Sequence, residues 1–344
     1  MSDGIVQLPP YWRETEPTDY RAASPPWHLA DPEIPRHWDR TNAGEGVLVG
    51  VADTGIDDTH RELAGRVQHA RSFCGGDHRD RNGHGTHVAT TIAGNSVGVA
   101  PRARVACAKV LADNGAGRSV DVAAGIDWLV DVGCSIINLS LGGSSDDPWT
   151  RAAVLRAIDA GVVVVAATGN ERASRVSFPA RHCVAVGAVD RRLRLADFSN
   201  RGKDVDLVGY GVEILAGLPG NQYAAWSGTS MATPWIAGIG ALRQAAELRL
   251  GGAIQTRTPA DLLKLETFVV DLGPEGRDTS YGRGMPDLDR ALYELIDTPP
   301  TPPTPDEPHP GRELLIVHAE DPATGRVYCG NLRLRAETSE VYDG

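Results

Sequence analysis

A chain of 344 residues, 41% of them hydrophobic, is long enough to form one large folded domain with flanking segments. Its formal net charge of −11 and its lack of clustered Lys and Arg argue against a nucleic-acid partner, because phosphate backbones bind basic side chains. No run approaches the ~20 apolar residues of a membrane span, and residues 1–4 lack the features of a secretion signal, so we expect a cytoplasmic protein with no membrane partner.

Residues 1–37 are rich in proline and aromatic side chains and show no sustained helical or strand period. They include the run Leu8-Pro9-Pro10-Tyr11. We predict an extended N-terminal arm here, ahead of a main domain at 38–297.

From residue 47 onward, apolar strand patterns alternate with helical patterns. Several strands are apolar at every position, as in a sheet that is covered on both faces. The pattern therefore predicts an α/β fold, a three-layer sandwich with a mostly parallel central sheet flanked by helices. The predicted strands are 47–52, 104–110, 135–141, 162–167 and 183–189, and the predicted helices are 84–93, 119–132 and 149–160.

Three polar residues stand at expected element ends and have the types needed for nucleophilic catalysis. Asp53 follows the first strand, at the carboxyl end where ligand sites of open α/β sheets form. His84 opens a helical stretch between two glycines, and Ser230 precedes an apolar helical run. A serine nucleophile needs a base, and the base needs an orienting acid. Taken alone, the Ser230 motif favours an ordinary helix N-cap, and only the other motifs turn the interpretation toward catalysis.

The order Asp53, His84, Ser230 along the chain differs from that of the α/β-hydrolases and of the chymotrypsin type. Asn170 adds a fourth group, because it follows a β-branched strand and its side-chain amide can donate to an oxyanion. A backbone N–H at the start of the helix that carries Ser230 can donate to the same oxyanion, next to the positive end of the helix dipole.

Together these four motifs resemble the subtilisin-like serine proteases, the subtilases, over about residues 38–295. The resemblance implies a serine endopeptidase that works through an acyl-enzyme. It assigns Ser230 as nucleophile, His84 as general base and then acid, Asp53 as the orienter of His84, and Asn170 as oxyanion donor. Two alternatives stay open, namely a dedicated maturation protease for one precursor or partner, and a non-catalytic peptide-binding scaffold.

The resemblance also implies that backbone on both sides of a cleft pairs with an extended protein or peptide substrate. One side is the segment 140–143, which follows the strand residues 136–139, and the opposite rim lies at 111–117. Asn138 is either a support for the catalytic groups or an ordinary buried polar residue. The predicted substrate-binding residues are Ser140, Leu141, Gly142, Gly143, Ala167, Thr168, Gly169 and Gly115.

Departures from the subtilase pattern concern metal binding and packing. The stretch between Ala89 and Pro101 is shorter than the family's calcium-binding form, so we expect no metal there and no required cofactor. Glu62 alone cannot supply the roughly six to eight oxygens that calcium needs, so we expect it at the surface. Asp204 and Asp206 either form a weak cation site or are solvated loop charges.

Further departures lie after Asn170 and after the Ser230 motif. The segment 171–179 is shorter than in many family members, which leaves substrate preference open. Trp235 stands where the family usually has histidine, which raises the question of how it packs. The cysteines are odd in number and lack close pairs, so we expect mostly buried, reduced thiols; they are Cys74, Cys107, Cys134, Cys183 and Cys329.

The two ends of the chain carry separate predictions. The arm resembles the short pro-sequence of the intracellular subtilisins in its residues 8–11, and it is either an inhibitory segment or a disordered tail. Residues 298–311 form a proline-rich linker of the semi-rigid polyproline type. In the tail at 312–344, strand patterns at 313–319 and 326–334 predict a small β-hairpin. The sequence does not indicate the oligomeric state.

Overall fold

The computed structural model describes residues 4–19, 24–143, 145–251, 253–254, 269–291, 316–320 and 327–331. The chain forms two compact units, Met1–Thr298 and Pro299–Gly344. The strands are β1 (Ile5–Gln7), β2 (Trp12–Arg13), β3 (Leu48–Asp53), β4 (Val67–Ser72), β5 (Arg104–Lys109), β6 (Ala116–Arg118), β7 (Ile136–Leu139), β8 (Val163–Ala167), β9 (Val184–Val189), β10 (Leu207–Tyr210), β11 (Ile214–Leu218), β12 (Gln222–Ser227), β13 (Val269–Val270), β14 (Met285–Pro286), β15 (Ile316–Glu320) and β16 (Val327–Asn331). The helices are α1 (Trp27–Ala30), α2 (Ile34–Thr41), α3 (His84–Ala93), α4 (Ser119–Asp131), α5 (Pro148–Asp159) and α6 (Thr229–Gly251), with 3₁₀ turns at Asn42–Gly44, Arg61–Leu63 and Ala180–His182.

A seven-stranded sheet in the order β10-β9-β8-β7-β3-β5-β4 forms the middle layer of the larger unit. Every neighbouring pair in it is parallel. The predicted α/β fold with a parallel central sheet is therefore confirmed. Strands β4 and β10 complete the two edges and were not predicted.

The sheet is covered on both faces, as its apolar strands require. Along β8, Val163 and Val165 contact one apolar core, with α3 and α6. Their neighbours Val164 and Ala166 contact the other core, with α4 and α5. Because side chains alternate between the faces of a strand, a strand apolar at every position can serve both cores.

The second half of the predicted extended arm is helical, so the prediction is wrong there. Helices α1 and α2 begin next to Pro26 and Pro35, and proline at a helix start costs no hydrogen bond. Leu29 and Ile34 are fully buried in the main core. These helices are only four and eight residues long, and such short pieces produce little periodic signal.

Trp235 packs without difficulty at the position where histidine was expected. Its side chain is fully buried, and its indole N–H donates to the carbonyl oxygen of His28 at 3.1 Å. Its ring meets that of Tyr210 edge-on, with centroids 5.3 Å apart. The contact with His28 ties α6 to α1, so the N-terminal helices help to fill the space around the tryptophan.

Three of the five cysteines are buried, as predicted, and a fourth is partly exposed. Cys107, Cys134 and Cys183 are buried and Cys74 is half-buried, and all four are free thiols. Burial raises the pKa of the Cys134 thiol to about 12. These buried thiols therefore act as small apolar side chains.

The smaller unit contains the predicted hairpin. Strands β15 and β16 pair antiparallel, with Ile316 opposite Asn331 and Glu320 opposite Val327. The predicted linker at 298–311 and the turn of the hairpin lie outside the described residues. In the described part of the whole chain, no helix is long and apolar enough to cross a membrane.

Candidate active site

Asp53 and His84 form a buried hydrogen-bonded pair at the carboxyl end of β3. The Nδ1 atom of His84 lies 2.8 Å and 3.0 Å from the two carboxylate oxygens of Asp53, and both side chains are fully buried. An ionised carboxylate only accepts hydrogen bonds, so Nδ1 carries the proton. The Nε2 atom of His84 has no partner in the described structure, which leaves its lone pair available as a base.

Glycines on each side of His84 allow this approach. Gly83 caps α3 with a φ of 101°, in the left-handed region that favours glycine. A Cβ atom on Gly85 would lie 2.1 Å from the carbonyl oxygen of Gly55. The start of α3 can therefore contact the loop after β3 only because these positions lack side chains.

His87 lies in the same motif but serves a structural role. Its Nε2 atom lies 3.1 Å and 3.2 Å from the carbonyl oxygens of Ile214 and Ala224, so it donates to both. Its ring stacks on Trp226 at 4.7 Å. Burial lowers the pKa of His87 to about 3. His87 therefore stays neutral and joins α3 to the β11–β12 pair.

Asp80 holds the loops of the acid and the base together, and sequence reasoning missed it. Its buried carboxylate accepts the Thr54 hydroxyl at 2.9 Å and the backbone N–H groups of Asn82 and Gly83 at 3.0 Å and 2.8 Å. It also accepts the N–H and the hydroxyl of Thr86. The only available signal was its position four residues before His84, which by itself indicates nothing about burial.

Ser230 is the second residue of α6 and is buried. Its Oγ donates to the carbonyl oxygen of Ser140 at 3.3 Å. In turn the Ser140 hydroxyl donates to the carbonyl oxygen of Ser230, and the Asn138 amide donates to that hydroxyl, both at 2.9 Å. Asn138 thus supports the segment that contacts Ser230, one of the two roles considered from the sequence.

Asn170 holds a peptide carbonyl from the N-terminal arm. Its side-chain N–H donates to the carbonyl oxygen of Pro10. Its oxygen accepts the N–H and the hydroxyl of Thr229, at 2.8 Å and 2.7 Å. These two bonds fix the amide so that its donor points into the cleft, beside the residue that precedes Ser230.

The first part of the arm lies between the two predicted sides of the cleft. Strand β1 pairs antiparallel with β6, and Gln7 exchanges two backbone hydrogen bonds with Gly142, at 3.1 Å and 3.0 Å. Leu8 donates its N–H to the carbonyl oxygen of Gly115 at 3.0 Å. The arm therefore forms the middle strand between the two rims.

Tyr11 of the arm packs against the ring of His84. Its ring centroid lies 5.3 Å from that of His84 and 4.9 Å from that of Trp226. The peptide between Pro10 and Tyr11 consequently has its carbonyl at Asn170 and its following side chain at His84.

The eight predicted substrate-binding residues separate into four groups. Gly142 and Gly115 pair with the arm, and Ser140 contacts Ser230 as described above. Thr168 is buried and bonded within the fold, since its carbonyl accepts Ser177 N–H and Asn200 Nδ2. The remaining four line a cavity of about 270 Å³ beside the arm: Leu141, Gly143, Ala167 and Gly169.

This cavity also carries charged side chains, which the sequence did not indicate. Glu171, Arg175 and Arg181 are among its lining residues. Asn200 holds Glu171 in place, because its Nδ2 donates to the carboxylate at 2.6 Å and its Oδ1 accepts Glu171 N–H at 3.1 Å. The shortened segment 171–179 thus places charges of both signs around the cavity.

The expectation that Glu62 lies at the surface is wrong. Its carboxylate is buried and accepts bonds from the N–H and hydroxyl of Ser96, at 2.6 Å and 2.5 Å, and from the Tyr223 hydroxyl at 2.7 Å. These donors compensate for desolvation of the charge. Glu62 thereby braces the shortened loop after α3.

Asp206 is bonded to protein groups rather than solvated. Its carboxylate accepts the N–H of Ala185 at 3.0 Å and pairs with Arg277 at 2.9 Å. Burial raises the pKa of Asp206. Asp204 is half-buried. In the part of the chain that the structure describes, no three His, Cys, Asp or Glu side chains cluster as metal ligands.

Comparisons with known proteins agree with this geometry. Residues 44–284 match the Subtilase family. The chain is 42% identical to M-protease of Shouchella clausii (strain KSM-K16) over 67% of its own length, and it spans 63% of that protein. It is 44% identical to Subtilisin BL of Lederbergia lenta, over 64% of this chain and 84% of the relative. It is 37% identical to the major intracellular serine protease of Bacillus subtilis (strain 168), over 71% of this chain and 82% of the relative.

Proposed function

Because the chain belongs to the subtilase family, as its motifs predicted, we propose that it is a serine endopeptidase that cleaves peptide bonds through an acyl-enzyme. Subtilisin-like serine proteases are hydrolases that act on peptide bonds of protein or peptide substrates. In the proposed mechanism, Ser230 attacks the carbonyl carbon, His84 takes the Ser230 proton, and Asp53 orients His84. The observation that carries the proposal is the Pro10–Tyr11 peptide, held at Asn170 and against His84.

The proton transfer needs a small side-chain movement. Ser230 Oγ bonds to Ser140 in this structure, while Nε2 of His84 has no partner among the described groups. In the proposed mechanism, Ser230 Oγ leaves Ser140 and forms a hydrogen bond to His84. His84 Nε2 then accepts the proton, while Asp53 stabilises the imidazolium that forms. His84 later gives this proton to the leaving amine.

Asn170 donates to the oxyanion that forms on attack. Its amide already bonds a peptide carbonyl, and the charge that develops on that oxygen strengthens the bond in the transition state. In the first turn of α6, the Thr229 N–H already donates to Asn170 and the Met231 N–H to the Gly228 carbonyl, so the Ser230 N–H is the group that can supply a second donor. The cavity beside Leu141 and Ala167 is proposed to take the side chain that precedes the cut.

Replacing Asn170 tests the donor role directly. We expect Asn170→Ala to lower kcat by about 10² to 10³, the effect known for the matching donor of subtilisin. Asn170→Asp is the matched variant, because it keeps the oxygen that accepts from Thr229 but loses the N–H. Steady-state kinetics that show unchanged kcat for both variants would contradict the role of Asn170.

We further propose that the enzyme acts in the cytoplasm, without a nucleic-acid or membrane partner. In support, one relative is named an intracellular protease, and the net charge of −11 favours solubility over phosphate binding. The alternatives are a maturation protease with a single target and a non-catalytic scaffold. Cleavage of bulk casein separates the general protease from the dedicated one. Labelling of Ser230 by a fluorophosphonate excludes the scaffold.

We propose that activity requires no cofactor and no tightly held calcium. Both carboxylate oxygens of Glu62, the acidic residue near the shortened loop, accept hydrogen bonds from Ser96 or Tyr223. A ligand bound to the folded state raises its stability with the logarithm of the ligand concentration relative to the dissociation constant, so removal of a tightly bound calcium would lower the melting temperature. Because we propose no such calcium, chelation with EDTA should change the melting temperature little. A calorimetric fall of more than about 10 °C would contradict this.

A further inference from the structure

Residues 12–18 of the arm lie along the edge of β12 that is not paired with β11. Strands β11, β12 and β2 make a three-stranded sheet in that order, with Arg13 opposite Trp226. Beyond β2, Glu14 N–H donates to the Ala225 carbonyl at 2.9 Å. Thr18 and Tyr223 exchange two backbone hydrogen bonds, at 2.9 Å and 2.8 Å. The arm therefore follows this edge in two paired stretches, residues 12–14 and Thr18, and the register shifts by two residues between them.

This edge lies on the side of the cleft that follows the reacting carbonyl. The Pro10 carbonyl occupies the donor of Asn170, so Tyr11 stands in the first position after the bond to be cut. Glu14 is then the fourth residue after that bond and Thr18 the eighth. In a substrate, these positions belong to the part of the chain that leaves with the amine.

A fixed positive charge stands at the far end of the edge. The Arg61 guanidinium pairs with the Asp19 carboxylate at 2.9 Å, and Asp19 is the ninth residue after the bond. Arg61 is held by the Tyr223 hydroxyl at 2.9 Å and lies over the Tyr223 ring at 4.9 Å. Its backbone N–H also donates to Asn221 at 2.7 Å. The Arg61 guanidinium is thus held in position by the protein, where it pairs with the acidic side chain of Asp19.

We propose that, after the arm leaves, the edge of β12 binds the substrate segment that follows the cut, in antiparallel pairing at its second to fourth positions and again near the eighth, with an acidic residue near the ninth position held by Arg61. This rests on the proposed endopeptidase function and specifies its substrate class. Departure of the arm exposes the backbone donors and acceptors of residues 223–227, and an open strand edge is a template for an extended chain. The preferred substrates are consequently long, extended protein segments.

The test uses the protein after cleavage and loss of the arm, as mass spectrometry confirms, with its active sites counted by fluorophosphonate titration. Two quenched fluorescent peptides share the residues before the cut and carry either three or ten residues after it, the longer one with Asp at the ninth position. We expect kcat/KM per active site to be about tenfold higher for the longer peptide, because it gains several hydrogen bonds. Equal values overturn the inference while leaving the protease function intact, whereas no hydrolysis of either peptide and no labelling overturn both.

Two further experiments distinguish backbone pairing with β12 from non-specific contact with the longer peptide. N-methylation at the fourth position removes the donor that corresponds to Glu14, whereas at the third position it blocks an N–H that points away from β12, since adjacent N–H groups alternate in direction. Only the fourth-position peptide should lose the advantage of length, and equal loss from both overturns the strand geometry. Arg61→Glu should reverse the preference between Asp and Arg at the ninth position, and an unchanged preference overturns the role of Arg61.

Discussion

Replacing Ser230 or His84 by Ala is expected to lower kcat by about 10⁶-fold, a magnitude known for subtilisin itself and carried over here. The reason is that nucleophile and base act as one unit. Without His84, the Ser230 hydroxyl stays protonated, and without Ser230 no acyl-enzyme forms. The double variant should therefore lose little more than either single one. Hydrolysis of one peptide, followed at saturating substrate, gives kcat for all three proteins.

Asp53→Asn is expected to lower kcat less than the Ser230 and His84 variants do. It keeps the shape of the Asp53 side chain but replaces an acceptor by a donor facing Nδ1 of His84, which favours the wrong tautomer. We expect a loss of about 10⁴ in kcat. Thermal unfolding of each variant provides the control for folding. Peptide hydrolysis at the unaltered rate by a folded Ser230→Ala protein would show that the nucleophile is misassigned.

Much of the fold could be predicted because its signal is local. Strand β8 is apolar at every position, since its side chains serve both cores. Helix α3 begins at His84 and ends at Ala93, the bounds expected from the sequence. Such patterns are enough to predict the type and order of the central elements. The motif around each of the four catalytic candidates is also short, so it too could be identified from the local sequence.

Other features depend on contacts between distant parts of the chain, which no local pattern shows. Glu62 is buried because Tyr223, 161 residues away, donates to its carboxylate. Asp80 is buried because the Thr54 loop and the start of α3 both donate to it. Sequence reasoning therefore singled out the four candidates for the chemistry and missed Glu62 and Asp80, whose buried contacts position the surrounding loops.

Removing the N-terminal arm is expected to raise the initial rate of peptide hydrolysis at least about tenfold, because the arm occupies the cleft in cis. A tether of this kind gives an effective concentration in the millimolar range, so weak intrinsic affinity suffices. The arm fills both rims through Gln7 and Leu8, and the Pro10 carbonyl occupies the Asn170 donor. A substrate cannot reach Asn170 until the arm leaves.

The arm is also a poor substrate for the site that it fills. Pro9 and Pro10 have no N–H, so pairing with the rims stops before the bond to be cut. Tyr11 lies against His84, and the Ser230 hydroxyl points to Ser140 instead of to the base. The Pro10–Tyr11 peptide thus lies at Asn170 while Ser230 Oγ bonds to Ser140 and makes no hydrogen bond to His84 Nε2. We therefore expect activation to be removal of the arm by slow cleavage, in the same molecule or by a second one.

Four proteins test this inhibition on one peptide substrate: the full-length chain, a chain that begins at Asp19, Tyr11→Ala and Ile5→Ala. The shortened chain should be fastest, and Tyr11→Ala intermediate, because it uncovers His84 while the rim contacts remain. Ile5→Ala is the matched control, since the Ile5 side chain is 64% exposed and its loss should change little. Mass spectrometry must show the arm intact during the initial rate. Equal rates for the intact full-length and shortened proteins would mean that the arm leaves the cleft freely in solution, because a segment bound over Asn170 and His84 necessarily competes with substrate.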